Sequence, residues 1–152
     1  MPIRAVSHIA IAVRDMDRAL AFYRDVLGLK VRFNGIEEFP NLGKLRPQRR
    51  HGAYLSLGDG PHDSFIVLDH RDNAVDRPPL NVGDVGIHHF SFWVDDIDTI
   101  FARAQAAGTT VIIEPHDTGT ENYGEPAGGT IRTTLMRDPD GNVVQLDQRI
   151  AA

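Results

Sequence analysis

The sequence predicts an α+β protein of two tandem βαβββ modules, forming a curved mixed sheet around a central cavity with the helices on the outside. Three observations lead there. Residues 8–17 (HIAIAVRDMD) and 89–98 (HFSFWVDDID) match in one register, His8 on His89 and Asp17 on Asp98. A helical pattern closing on glycine follows each match. Three further strand patterns, partly joined by Gly- and Asp-rich turns, complete each copy. A period of this kind is sought first, because missing it misassigns the whole fold.

Each copy opens with a histidine and a short, mostly apolar run that ends at Asp15 or at Asp95–Asp96. Such a run, bounded by cap residues, reads as a strand. Asp15 or Asp17 caps the first helix and Asp96 or Asp98 the second, because a carboxylate satisfies free N–H groups of the first turn. Met16, Ala19, Leu20, Tyr23, Val26 and Leu27 then recur at helical spacing, and Gly28 closes the helix. In the second copy Ile97, Ile100, Phe101, Ala104 and Ala107 form the stripe before Gly108.

Strands follow at 29–33, 52–57 and 64–69, the last two joined by Gly58-Asp59-Gly60. Their counterparts lie at 109–113, 131–136 and 143–147, with the turn Asp138-Pro139-Asp140-Gly141. Aligning IVLD (66–69) with VQLD (144–147) pairs Val67 with Gln145. The chain, 1–152, is thus expected to be one domain: a first module at 3–70, a linker at 71–86 containing Pro78 and Pro79, and a second module at 87–148. Loops 34–51 and 114–130 are expected to flank the cavity.

Composition narrows the partners. Apolar residues make up 41% and charged residues 24% of the 152, which is ordinary for a folded chain. The net charge of −5 and the lack of a long Lys/Arg stripe argue against nucleic acid. Arg46, Arg49 and Arg50, beside Pro47, read as an exposed loop. Without cysteine there is no disulfide, thiolate ligand or thiol nucleophile to consider. No apolar run approaches the roughly 20 residues of a membrane helix, and no leader pattern precedes the first strand. A soluble cytoplasmic protein without a membrane partner is the expectation.

The segments HIAIAVRDMDRALAFYRDVLGLKV (8–31), HHFSFWVDDID (88–98) and RDPDGNVVQLD (137–147) make the chain resemble the vicinal oxygen chelate superfamily over about residues 3–148. That superfamily includes glyoxalase I, methylmalonyl-CoA epimerase, fosfomycin- and bleomycin-resistance proteins and extradiol dioxygenases. The resemblance implies metal ligands on the first and last strand of each module, here His8, Val67, His89 and Gln145. Three of these are able to bind a metal, so one divalent ion (Fe, Mn, Zn, Ni or Mg) is expected on His8, His89 and Gln145. The family's common residue at the last position is glutamate, from which Gln145 departs. Two imidazoles and an amide leave the ion's +2 charge uncompensated and favour an anionic substrate that chelates through two oxygens. The resemblance also implies a homodimer.

Each histidine alone is more often a hydrogen-bonded strand residue than a ligand. Strand alternation lets only one of His88 and His89 face inward, and the repeat register selects His89. His51, His62 and His70 read as solvated residues at turns, and Glu37 and Glu38 as a solvated loop. Within HDTGTENYGEPAGG (116–129), a loop of the length often used as a lid, Tyr123 or His116 is the candidate acid or base. Neither Val67 nor Gln145 can serve as a base, which counts against two-base isomerases.

The leading expectation is therefore a metal-dependent enzyme on a small O,O-chelating substrate, with ring-cleaving dioxygenase-like chemistry ahead of a glyoxalase-like isomerase or lyase. The alternative is a metal-free protein that sequesters an aromatic or antibiotic-like ligand, as bleomycin-resistance members do. Phe65, Phe90, Phe92, Trp93 and Tyr54 would supply its aromatic surface.

Overall fold

Strand β1 (His8–Ala12) lies parallel to β4 (Phe65–His70), so the chain must cross over between them. The crossover begins with helix α1 (Met16–Leu20) and continues as a π-helical turn, Ala21–Val26. Of the two candidate caps Asp15 acts: its backbone is extended and its carboxylate accepts from the Arg18 N–H at 3.0 Å. The wider π turn, marked by Leu27 N–H donating to the Phe22 carbonyl at 3.0 Å, accommodates Phe22 and Tyr23 both buried although adjacent in sequence. Gly28 ends it at φ 86°, the left-handed region that glycine enters without strain.

The structure, a computed structural model, describes residues 3–40 and 48–151. Arg46 and Pro47 of the basic segment lie outside the described residues. Two compact units divide at Asp76 and Arg77. Among the described residues the first unit contains one open, curved sheet of order β1-β4-β3-β2, with β2 at Lys30–Phe39 and β3 at Gln48–Ser56. The second repeats it as β5-β8-β7-β6, with β5 at His89–Trp93, β6 at Val111–Gly119, β7 at Thr130–Arg137 and β8 at Val143–Ile150. Its helix α2 (Ile97–Ala106) is capped by Asp96, the counterpart of Asp15, and the Gln148 side chain accepts from the Ile97 N–H at 2.9 Å. Among the described residues no helix is long and apolar enough to cross a membrane.

Two expectations need correction. Strand covers 34–39 and 48–51 of the first segment and 114–119 of the second, where a 3-10 turn follows: β2 runs on to Phe39, β3 starts at Gln48, and β6 reaches Gly119. Ladder partners such as Asn34–Ala53, Ile36–His51 and Glu37–Arg50 satisfy the backbone there whatever the side chains are. Bulges at Val31/Phe33, Val111/Ile113 and Ile113/His116 interrupt the two-residue alternation, which hides these strands from a periodicity reading.

Alternation does organise the sheet faces. In the first unit Leu55, Ile66 and Leu68 are fully buried on the helix side. In the second, Thr134, Met136, Val144 and Leu146 take that side, and Arg132 on the same face reaches Asp98 of α2 at 2.9 Å. The opposite face of each sheet then carries His8, Val67 and Asp69, or His89, Gln145 and Asp147.

Gly108 closes α2 at φ 69° with open space where a Cβ would sit, so only backbone strain opposes substitution. Gly108→Ala should lower the unfolding free energy by about 1 kcal/mol in urea titration, and Gly108→Asn by clearly less. Equal losses would refute the backbone origin.

Candidate functional site

In the second unit the parallel ladder sets His89 opposite Val143 and Ser91 opposite Gln145, so Gln145 stands one pleat along from His89 on a common face. Gln145 and Asp147 share that face two residues apart on β8. The Gln145 Nε2 donates to Asp147 Oδ1 at 2.9 Å and to the Tyr123 hydroxyl at 3.3 Å, while its Oε1 accepts no hydrogen bond among the described residues. Tyr123 and Thr133 each donate to the same Oδ1 at 2.7 Å, and Ser91 donates to Oδ2. Burial acts to raise the Asp147 pKa, but these four donors outweigh it and hold the carboxyl below the usual range.

His88 precedes β5, so strand alternation does not bind it. Its ring turns onto His89, with Nδ1 to Nδ1 at 2.7 Å and centroids 4.5 Å apart. Such a short contact requires one N–H between the rings. With the proton on His89, its Nε2 keeps the lone pair that ligation needs, and the outer hydrogen bond fixes the ring.

His8 occupies the equivalent position of the first unit. It is exposed, stacked on Phe65 at 5.0 Å, and its Nδ1 lies 3.3 Å from the Ser7 hydroxyl. Val67, buried, stands where the second unit has Gln145. Among the described residues no group of three His, Cys, Asp or Glu side chains is placed to hold a metal ion.

Of the two acid–base candidates, Tyr123 joins the Gln145–Asp147 cluster and lies 5.9 Å from the Trp93 ring. Burial and the Asp147 carboxylate push its pKa up, so near neutral pH it is a hydrogen-bond donor rather than a base. It ends a 3-10 turn, Thr120–Tyr123, tied down by Thr120 Oγ1 donating to the Pro126 carbonyl at 2.6 Å and accepting from Gly129 N–H at 3.3 Å. His116 lies in β6 opposite Thr133, exposed, its Nδ1 3.0 Å from the Glu114 carbonyl and outside this cluster.

Sequence reasoning missed the two aspartates, although both repeats print them: IVLD and VQLD end alike. Asp69 accepts from Arg50 at 2.9 Å and from Arg71 at 2.8 Å. Arg50 in turn binds Glu37 at 2.9 Å, and Tyr54 donates to Glu37 at 2.9 Å. Arg50 and Glu37 are thus half-buried strand partners, which corrects the exposed-loop and solvated-loop readings. His51 meets Asn34 at 2.7 Å within the β2–β3 hairpin and His70 lies in β4 against the Val13 carbonyl at 3.0 Å, whereas His62 is exposed as expected.

The chain matches the Glyoxalase/Bleomycin resistance protein/Dioxygenase superfamily over residues 5–146. It belongs to that superfamily. A probable chloroplastic lactoylglutathione lyase of Arabidopsis thaliana is 31% identical over 96% of this chain, which spans 36% of that relative's length. A probable lactoylglutathione lyase of Vibrio cholerae is 28% identical, covering 94% of this chain and 89% of the relative. Glutathione transferase FosA of Serratia marcescens is 23% identical over 95% of the chain and 80% of its own. Among solved structures, a glyoxalase family protein from Bacillus cereus superposes with a TM-score of 0.75 at 19% identity, over 99% of both chains. The fold of this superfamily member is therefore shared with glyoxalase family proteins.

Burial works to raise the Asp69 pKa, and Arg71 and Arg50 overcome it to set it below the ordinary carboxylate value. A lowered pKa means the folded state holds the ionised form. The stability this contributes is complete above the unfolded-state pKa and is lost as pH falls through the folded one. Chemical unfolding followed from neutral pH down into that acid range should show a shallower decline for Asp69→Asn than for the unmodified chain. At neutral pH the variant should be less stable by about 1–3 kcal/mol.

Proposed function

We propose that this superfamily member is a metal-dependent enzyme acting on a small O,O-chelating substrate, with His8, His89 and Gln145 as ligands of one divalent ion. One observation carries the reading. At the family's ligand positions, the His8 Nε2, His89 Nε2 and Gln145 Oε1 are left without a partner among the described residues. Two imidazole nitrogens and a neutral oxygen fit a borderline first-row ion. When bound, the ion would supply Lewis-acid chemistry to the substrate's oxygens.

The chain's own residues then define what the site does. His8, His89 and Gln145 add no negative charge, so an anionic substrate is favoured. The Tyr123 hydroxyl keeps its proton and donates it to Asp147. Asp147 is saturated by four donors, and Val67 and Gln145 carry no titrating group, so none of these abstracts a proton from carbon near neutral pH. Chemistry that draws on the substrate's own acidity therefore fits better than a two-base proton shuttle. This keeps a ring-cleaving dioxygenase ahead of a lyase or isomerase. The relatives named as lactoylglutathione lyases and a glutathione transferase support the thiol-conjugate branch as its competitor. A homodimer belongs to the same proposal.

Protein purified without chelator and dialysed against Fe(II), Mn(II), Zn(II) or Ni(II) should retain about one ion per chain, and His8→Ala or His89→Ala should release it. Retention below about half an equivalent, unchanged by His89→Ala, would overturn the reading. Oxygen uptake with catechols against turnover of lactoylglutathione separates the two branches.

The second reading, a metal-free ligand-binding protein, rests on the aromatic row of the first unit. His8 stacks on Phe65, Phe65 lies 6.0 Å from Tyr54, and Tyr54 lies 5.6 Å from Phe33. It predicts fluorescence quenching by planar aromatics that is insensitive to chelator.

A further inference from the structure

An amide ligand has two ends, and only its oxygen coordinates a metal. In the second unit the partner of Gln145 settles which end faces outward. Asp147 Oδ1 receives hydrogens from Tyr123, Thr133 and the Gln145 Nε2, and Oδ2 receives one from Ser91. Every hydrogen around the carboxylate points at it. Turning the amide over would set Oε1 against Oδ1, two acceptors with no proton between them, and would face it toward a Tyr123 hydroxyl whose proton is already committed.

The first unit carries the same acid without the amide. There Asp69 lies two residues from Val67 and is neutralised by Arg50 and Arg71. The sheet position alone therefore does not call for the uncharged donors that surround Asp147. A glutamate in place of Gln145 would bring a second carboxylate to the 2.9 Å contact, where like charges oppose ionisation.

We propose that Asp147 is a positioning residue that makes Gln145 an oxygen donor, holding its Nε2 inward and so presenting Oε1 to the metal. This inference rests on the metal reading above. In effect the site's negative charge has moved one pleat along β8, from the ligand to the group that orients the ligand.

Zn(II) titration calorimetry on metal-free protein tests it with Asp147→Asn, Gln145→Glu and the double variant. An asparagine can face Gln145 with either end, so Asp147→Asn alone should weaken Zn(II) binding by about 10–100-fold, the usual effect of losing an outer-shell partner. In the Gln145→Glu background the same substitution should tighten binding, because a carboxylate ligand has no wrong end and loses a repulsive neighbour. A merely structural role would weaken binding in both backgrounds, and that result, or no change in either, overturns the proposal.

If Asp147→Asn does not fold by circular dichroism, Tyr123→Phe replaces it. Several-fold weakening confined to the Gln145 background supports the proposal, and equal weakening in both overturns it. If the unmodified chain binds no Zn(II), the metal reading falls separately, and amide exchange by NMR still decides the orientation. Slowly exchanging Gln145 side-chain protons support it, and exchange as fast as in an exposed glutamine overturns it.

Discussion

Everything placed on the candidate site follows from the parallel pairing of the first and last strand in each unit. Parallel neighbours cannot be joined by a tight turn, so a helix must intervene, and that helix covers one face of the sheet. The other face is left to side chains of alternate residues. The register of β5 on β8 then brings His89 and Gln145 within one pleat of each other although 56 residues separate Ser91 from the Asp147 it bonds. The same pairing of β1 with β4 seats His8 against Phe65.

On that common frame the two units treat one carboxylate in two ways. An aspartate that is half-buried, like Asp69, or buried, like Asp147, has to be compensated, because its charge loses water on the sheet. Asp69 is compensated by cations: Arg50 and Arg71 close it into an ion-pair network with Glu37. Asp147 is compensated by neutral donors from three other places, β5, β7 and the 3-10 turn, as well as by Gln145 on its own strand. The first arrangement spends its charge internally. The second keeps its charge and aligns the Gln145 amide with it, where the first unit has the apolar Val67.

Much of the fold was legible in the residues because its determinants are local. The matched runs at His8 and His89, the caps at Asp15 and Asp96, and the left-handed glycines 28 and 108 each act within one or two turns of chain. The long arms of β2 and β6 were not legible: their partners lie across a hairpin, and bulges break the alternation. Glu37 and Arg50 read as exposed for the same reason, since each is half-buried only because the other stands opposite in the ladder.

By itself the sequence determined the repeat, the order of strands and helices, the superfamily likeness and the matching positions of His8, His89 and Gln145 within it, all of which are carried by residues at fixed places along the chain. Only the tertiary structure decided which atoms those positions offer. The Gln145 amide is oriented by Asp147, the His89 ring meets His88, and Tyr123 is held as a donor by a carboxylate 24 residues away. The direction of each group is set by the donors that meet at Asp147 from β5, β7 and the 3-10 turn and by the turn of the His88 ring, and such directions are properties of the folded sheet that no spacing in the chain encodes.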